Sequence, residues 1–466
     1  MITSKIRFRI RFIIIFVFVF LGIPIIYIYH SRTSVYHYDV KADYNYNFDQ
    51  SGAVKYELDL YRGKLTLPKT LDRMNSSFFL KVDVSDTFLG TIFQPLVIIS
   101  SGEKKVIQYF ELGAEGIRYI NLSNVISSND STIQLSSKWI KINDQKVELY
   151  QFENVSMNNS RIMIIAPHPD DAEIASYGLY SNHKNTYIIT LTAGEAGVNT
   201  YDEVYKDSTE QYLQKGKLRT WNSLTIPLLG GIPTENCLNL GFFDGTLQLM
   251  YQNKKYTIEG LYTKTKDINT FRKYNFSKYK NLLVGTADWP SLVRNLKILL
   301  DTIHPDIIVT PYPVLDINSD HKYATLAILE ALKEENKEKG NLFLFTNHYT
   351  MSEAFPFGTT GSVTTLPPFF KDSLYFNGIF SNSLSVEKQH EKIFALEAMN
   401  DLRPDTEWRY PMGSIKLAGT TLARKILGKD KDYFRRAIRS NELFFVVRIH
   451  DIYNQSVFKK LTETAP

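Results

Sequence analysis

From about residue 160 onward, unbroken apolar runs alternate with stretches of helical period. Ile162 to Ala166 has no polar position, the pattern of a short strand covered on both faces. Tyr187–Thr192, Cys237–Leu240 and Asp306–Thr310 read as further buried strands, and Glu173–Tyr180, Leu213–Leu229, Leu292–Ile303 and Lys322–Lys337 as the helices between them. Strand and helix in alternation predict an α/β fold, a doubly wound, mainly parallel sheet. Residues 31 to about 155 behave differently. Short alternating segments such as Ala53–Leu60, Ser77–Val84, Leu96–Ile99 and Lys105–Phe110 are broken by Gly, Asp, Asn and Ser, which predicts a small antiparallel β-sandwich. It carries no motif with a chemical meaning, so a spacer is the plainer role and glycan binding through Tyr and Phe the sharper one.

The first residues have a third pattern. Lys5, Arg7, Arg9 and Arg11 precede an apolar run from Phe12 to Tyr29, interrupted by Gly22 and Pro24. Such a run is near the lower length for a membrane span, and the basic flank orients it with the N-terminus cytoplasmic. The expectation is a single-pass anchor, or alternatively a signal sequence, over residues 1–31. A β domain over 32–155 and a catalytic region over 156–466 then follow on the exported, periplasmic or extracellular side.

Composition narrows the function classes. Hydrophobic residues make up 44% and charged residues 22%, enough for a large packed core. The net charge of +5 is small for 466 residues and four of the basic residues lie before residue 12, so no nucleic-acid footprint remains. A single cysteine, Cys237, excludes an intrachain disulfide and a cysteine-built zinc cage.

The chemistry gathers at two strand ends. Pro167-His168-Pro169-Asp170-Asp171 follows the Ile162–Ala166 strand, and its prolines permit neither a continued ladder nor an immediate helix. An Asp-rich helix cap is the bland reading of this loop. The second cluster, Asp316, Asn318, Asp320 and His321, follows the Asp306–Thr310 strand on another proline-stiffened loop. Carboxyl ends of strands are where open α/β sheets place ligands. If the two strands are neighbours, His168, Asp171 and His321 converge as two imidazoles and one carboxylate, the ligand set of a catalytic Zn²⁺ with an open position. Asp170 is then left to act on water.

Residues 161–197, 219–245 and 306–330 resemble the LmbE-like, or PIG-L-type, zinc-dependent N-acetylglucosaminyl de-N-acetylases. The resemblance is carried by Pro167-His-Pro-Asp-Asp-Ala-Glu173, Thr192-Ala-Gly-Glu195, Gly241-Phe-Phe-Asp244-Gly245 and Asp320-His321 after Val309-Thr-Pro311, and more weakly by Glu387–Lys392. It implies a Rossmann-like sheet with zinc on His168, Asp171 and His321, and Asp170 as general base. It implies a hydrolase that removes the N-acetyl group from an amino sugar of an envelope glycan or glycolipid. An amidase for larger acyl groups and an inactive, membrane-anchored glycan-binding protein are the alternatives. Many members carry a second histidine where Asn318 stands here. Asn318 can donate to an oxyanion but cannot supply a proton, so the acid role falls to Asp170 after it takes the water proton, or to another group.

Other residues have two readings each. Arg219 resembles a substrate-contacting arginine or lies on a solvated helix face. Glu195 binds a sugar hydroxyl or caps its loop, Asp244 forms a turn or touches ligand, and Asp316 anchors His321 or forms a turn. His348 is a structural histidine or an acid. Pro356-Phe-Gly358 and Tyr375 line a substrate groove, and Arg424, Arg435, Arg436 and Arg439 face anionic lipid or glycan or belong to a solvated C-terminal surface.

Overall fold

The computed structural model describes residues 23–49, 51–126, 131–197, 204–371, 374–399, 419 and 433–463. Two sheets organise it. Nine strands form the first: β1 Val54–Tyr61, β2 Lys64–Thr66, β3 Ser76–Asp86, β4 Leu96–Ser101, β5 Lys104–Tyr109, β6 Gly116–Asn121, β7 Thr132–Lys138, β8 Ile140–Ile142 and β9 Lys146–Glu153. All their pairings are antiparallel, in the order β5-β4-β7-β2-β1-β9-β3-β6, with β8 on β3.

This corrects the expected β-sandwich. Val54–Asp59 of β1 pair with β9, and Leu60 and Tyr61 of the same strand pair with β2, so one strand hands the ladder across both halves. Trp139, at φ 63°, turns β7 into β8, which pairs with β3 in the opposite half. The sheet therefore curls into a nearly closed, barrel-like ring. Period-2 alternation reports one buried face per strand, and a curled sheet and two stacked sheets produce the same signal.

The expected membrane anchor is also corrected. Among the described residues no helix is long and apolar enough to cross a membrane. The described part of the apolar run lies in the helix Ile23–Thr33. Residues 12–22 of the run lie outside the described residues. Hydropathy alone missed that the run leads directly into the fold: Arg32 donates to the Ile92 carbonyl at 2.5 Å, and Tyr36 bridges to Ser352. The single-pass arrangement with an exported catalytic region is accordingly not supported.

The second sheet has seven strands: β10 Ile162–Ala166, β11 Thr186–Thr192, β12 Cys237–Phe242, β13 Ile307–Pro311, β14 Asn341–Phe345, β15 Gly378–Ser383 and β16 Asn441–Arg448. Its order is β12-β11-β10-β13-β14-β16-β15, parallel through β14 and antiparallel at β16 and β15. The chain moves outward from β10 through β11 to β12, then crosses back to place β13 on the other side of β10. That reversal is a topological switch point, and the crevice it opens at the carboxyl ends of β10 and β13 is the standard ligand position. All residues of both strands are buried, as helices cover both faces.

The two sheets share one apolar core. Tyr46, Phe48, Tyr119 and Phe152 from the first region pack with Phe369, Phe376 and Phe445 from the second. Buried amides tie the same seam: Asn121 donates to the Thr364 carbonyl and Ser381 Oγ, each at 2.9 Å. Arg439, expected at a solvated surface, is only 2% exposed. It donates to the carbonyls of Pro356, Phe357 and Thr359 and so shapes that loop. Arg424 lies outside the described residues.

Candidate metal centre

The loop after β10 is held from several directions. The backbone N–H and hydroxyl of Thr192 both donate to the Pro167 carbonyl, at 3.1 and 2.9 Å. Arg219 donates to the Pro169 carbonyl at 2.7 Å and pairs with Asp170 Oδ2 at 3.2 Å. A Cβ on Gly194, at φ +64°, would fall 2.6 Å from Pro169 and 2.8 Å from Arg219 Nε, so only glycine lets β11 end this close to the loop. Asp170 precedes the helix Asp171–Asn182 with φ 145° and ψ −25°. A non-glycine residue in that region costs about 1–3 kcal/mol, strain that concentrates at functional sites.

The loop after β13 ends in the helix Ser319–Glu335, capped by Asn318, whose Oδ1 accepts the Asp320 N–H at 2.9 Å. This places Asp320 and His321 in the first turn. The two strand ends then meet. His168 Nδ1 and His321 Nε2 each lie 3.2 Å from the same oxygen, Asp171 Oδ2. The other nitrogen of each ring is held by carboxylates. His168 Nε2 faces Asp244 Oδ1 at 3.3 Å and Asp320 Oδ2 at 3.4 Å, while His321 Nδ1 faces Asp316 Oδ2 at 2.9 Å.

Those carboxylates are themselves fixed. Asp320 accepts the N–H groups of Gly245 and Leu247, at 2.7 and 3.2 Å, and Asp316 accepts those of Asn318, Asn347 and His348. An imidazole anchored at one nitrogen by an acid is the arrangement that fixes its tautomer and turns the other nitrogen toward a metal. His321 Nε2 is buried and makes no hydrogen bond. The donor atoms of His168, Asp171 and His321 all lie within 4.8 Å of one another. One orphaned ring nitrogen, a second anchored ring and a shared carboxylate oxygen together fit a tetrahedral divalent ion.

The electrostatics agree. Burial favours neutral His168, but Asp244, Asp171 and Asp320 outweigh it and hold the ring well above its ordinary range. Burial likewise opposes charge on His321, and Asp171 and Asp316 overcome it, lifting it to about 10. Both rings behave as sites that demand positive charge. Burial and the neighbouring His321 push His348 down to about 4, so it is neutral near pH 7, its ring 5.0 Å from that of His321.

Of the residues expected at the site, His168, Asp171 and His321 come together and Asp170 stands beside them on the same loop. Arg219 is buried, and its contacts run to Asp170 and Pro169. Glu195 is fully buried below the site, where both its oxygens accept the Asp244 N–H at 3.1–3.2 Å. Burial first, then repulsion from Asp244, lifts its carboxyl to about 8. Asn318 is half-buried, with its Oδ1 used in the cap. Asp244 and Asp320 as partners of His168, and Asn347, whose Nδ2 donates to Asp171 Oδ1 at 2.8 Å, were not singled out from the sequence. The Gly241–Gly245 motif was visible, but nothing in it reports that its aspartate reaches a ring 76 residues earlier.

Residues 163–332 match the family model described as PIG-L: GlcNAc-PI de-N-acetylase. No curated protein sequence matches this chain. Among solved structures, the A40926 pseudoaglycone deacetylase Dbv21 is 14% identical, covering 63% of this chain and 99% of that chain at a TM-score of 0.32. The zinc-inhibited form of teicoplanin deacetylase Orf2 is 13% identical over 62% of this chain and 98% of that one, at 0.34. GalB, the 4-carboxy-2-hydroxymuconate hydratase of Pseudomonas putida KT2440, is 11% identical over 61% and 95%, at 0.32. With TM-scores this low, none of the three bears on the chemistry.

Proposed function

Because residues 163–332 form a PIG-L-type domain, we propose that this chain is a zinc-dependent hydrolase that removes the N-acetyl group from an N-acetylated amino sugar. The observation that carries the reading is the convergence of His168 Nδ1 and His321 Nε2 on Asp171 Oδ2, with carboxylates behind both rings. These three residues would hold the zinc, which when bound would supply Lewis-acid chemistry toward the amide carbonyl and the attacking water.

The remaining steps belong to the chain. Asp170 accepts the proton of the attacking water as the C–O bond forms, and returns it to the nitrogen as the C–N bond breaks, giving acetate and a free amine. Arg219, paired with Asp170 and bonded to Pro169, aims that carboxylate. Asn318 uses its Oδ1 in the helix cap, and its Nδ2 is the donor offered to the oxyanion. His348 is positioned next to His321 as a neutral ring.

The test is metal analysis of the purified chain together with hydrolysis of an N-acetylglucosaminide. Wild type should hold one zinc per chain and release acetate. Asp170→Asn should retain the zinc and lose about 10²–10⁴-fold in turnover. Full activity in that variant would remove Asp170 from the role of base, and a wild-type chain with no stoichiometric metal would sink the hydrolase reading.

A further inference from the structure

Beside the metal ligands lies a cavity of about 80 Å³, where one water requires roughly 10–15 Å³ on the same measure. Ile174 and Ala175 form part of its wall, one helical turn beyond Asp171 on the same face. Asn347 belongs to both places: it lines the cavity and donates to Asp171 Oδ1. The far wall comes from β16 and from the loop around Phe355 and Pro356, outside the span that matches the family model.

Two kinds of ligand compete for such a space, an anion and an aliphatic chain. Lys392, Arg436, Arg439 and Glu442 bring charge to the wall, but each is already engaged. Lys392 donates to Glu442 at 3.0 Å and to the Ile174 carbonyl at 2.8 Å, and Glu442 also accepts the N–H groups of Gly178 and Leu179. Arg439 spends its donors on main-chain carbonyls and Ser362, and Arg436 has a partner of its own. The groups left to meet a ligand are the apolar ones, among them Ala175, Phe355, Leu443 and Phe445. Among the polar groups there, the hydroxyl of Thr346, next to Asn347 in the chain, is buried without a hydrogen-bond partner. A largely apolar hollow with an unpaired hydroxyl on the residue before Asn347, which itself bonds Asp171, suits an alkyl chain carried by a carbonyl.

We propose that this cavity receives the acyl chain of the substrate, so that short aliphatic amides of amino sugars, butyryl to hexanoyl, are cleaved faster than the acetyl amide. The proposal rests on the hydrolase reading above and extends it to the acyl side. Water adds to the acyl carbon, the C–N bond breaks, and a short-chain carboxylic acid and a free amine leave. Burying each added methylene should raise kcat/KM roughly three- to four-fold until the cavity is full.

The experiment compares N-acetyl, N-butyryl, N-hexanoyl and N-palmitoyl glucosaminides with the zinc-loaded full chain and with Ala437→Leu, which fills the cavity from its own wall. Wild type should climb from acetyl to hexanoyl and fall at palmitoyl. The variant should lower the hexanoyl-to-acetyl ratio roughly ten-fold. Both rates come from one sample, so partial misfolding leaves the ratio alone. Calorimetric titration with hexanoate and acetate gives a readout without turnover, in which hexanoate should bind more tightly to wild type and lose that advantage in the variant. Acetyl cleaved at least as fast as butyryl and hexanoyl overturns the acyl cavity and leaves the deacetylase reading standing. No amide cleaved at any length removes both.

Discussion

In the nine-stranded sheet, the buried Arg118 guanidinium meets Glu111 at 2.8–2.9 Å and donates to the carbonyls of Val40, Ala42 and Ile117, with the Tyr44 ring stacked 4.1 Å away. One base faces one acid, and the pair serves the strand ends around it. At the switch point of the seven-stranded sheet the ratio is different. Four carboxylates, Asp171, Asp244, Asp316 and Asp320, face two imidazoles, and even two protonated rings leave that cluster negative. Ionised groups taken out of water destabilise a fold unless they are matched. Balanced buried charge is structure, and an imbalance whose carboxylates are held by seven backbone N–H donors is an invitation to a cation.

The largest effect that separates the two regions should come from Arg118→Met. It leaves Glu111 buried without its partner, at a cost of about 3–5 kcal/mol, measured as a lower urea midpoint, while zinc content and activity per folded molecule stay as in wild type. Loss of zinc in that variant would mean the two regions are not energetically separate. Next in size is Asp316→Asn, which removes the acid behind His321 and should weaken zinc about 10–100-fold, read by competition with a chelator. Unchanged affinity would take Asp316 out of the role of orienting the ring.

The remaining effect is one of pH. The Glu195 carboxyl sits at about 8 against an ordinary 4.5, through burial and then Asp244. Between those values the folded state keeps a proton that the unfolded chain releases, so this group makes stability fall as pH rises from about 4.5 to about 8 and adds nothing further above that. Glu195→Gln keeps an acceptor for the Asp244 N–H and removes the titration. Metal-free variant and wild type should differ little in Tm at pH 4.5, and the variant should melt higher at pH 8.5. Parallel curves would show that the carboxyl titrates normally.

Much of this was legible in the sequence because it was local. Ile162–Ala166 shows no alternation since β10 lies between β11 and β13 with both faces covered, and the prolines after it fix where the loop must begin. The helix expected over Leu292–Ile303 likewise followed from its apolar stripe, and the structure starts it three residues earlier, at Trp289 behind the Asp288 cap. What escaped depends on pairings between distant residues. The apolar run Leu443-Phe-Phe-Val-Val447 was a strand signal that the surrounding arginines obscured, and β16 was missed with it. The ring of nine strands could not be told from a sandwich, because strand closure is decided by Trp139 and by β1 sharing its length between two partners. At the site, the ligand residues stood in motifs, whereas Asp244 and Asp320 behind His168 were set by where three loops meet.

The placement of β16 also sets a schedule. All nine strands of the first sheet are available once residue 153 has left the ribosome, and that ring can close early in synthesis. The second sheet cannot. β14 keeps an open edge and β15 has no strand partner until Asn441–Arg448 emerges and slides between them. A nascent chain therefore spends about a hundred residues of elongation, between β14 and β16, with one sheet finished and the other exposing an unpaired border, the kind of border that recruits neighbouring chains. Chains stalled before residue 441 should be the ones that holdase chaperones retain, and release should coincide with the arrival of the last strand.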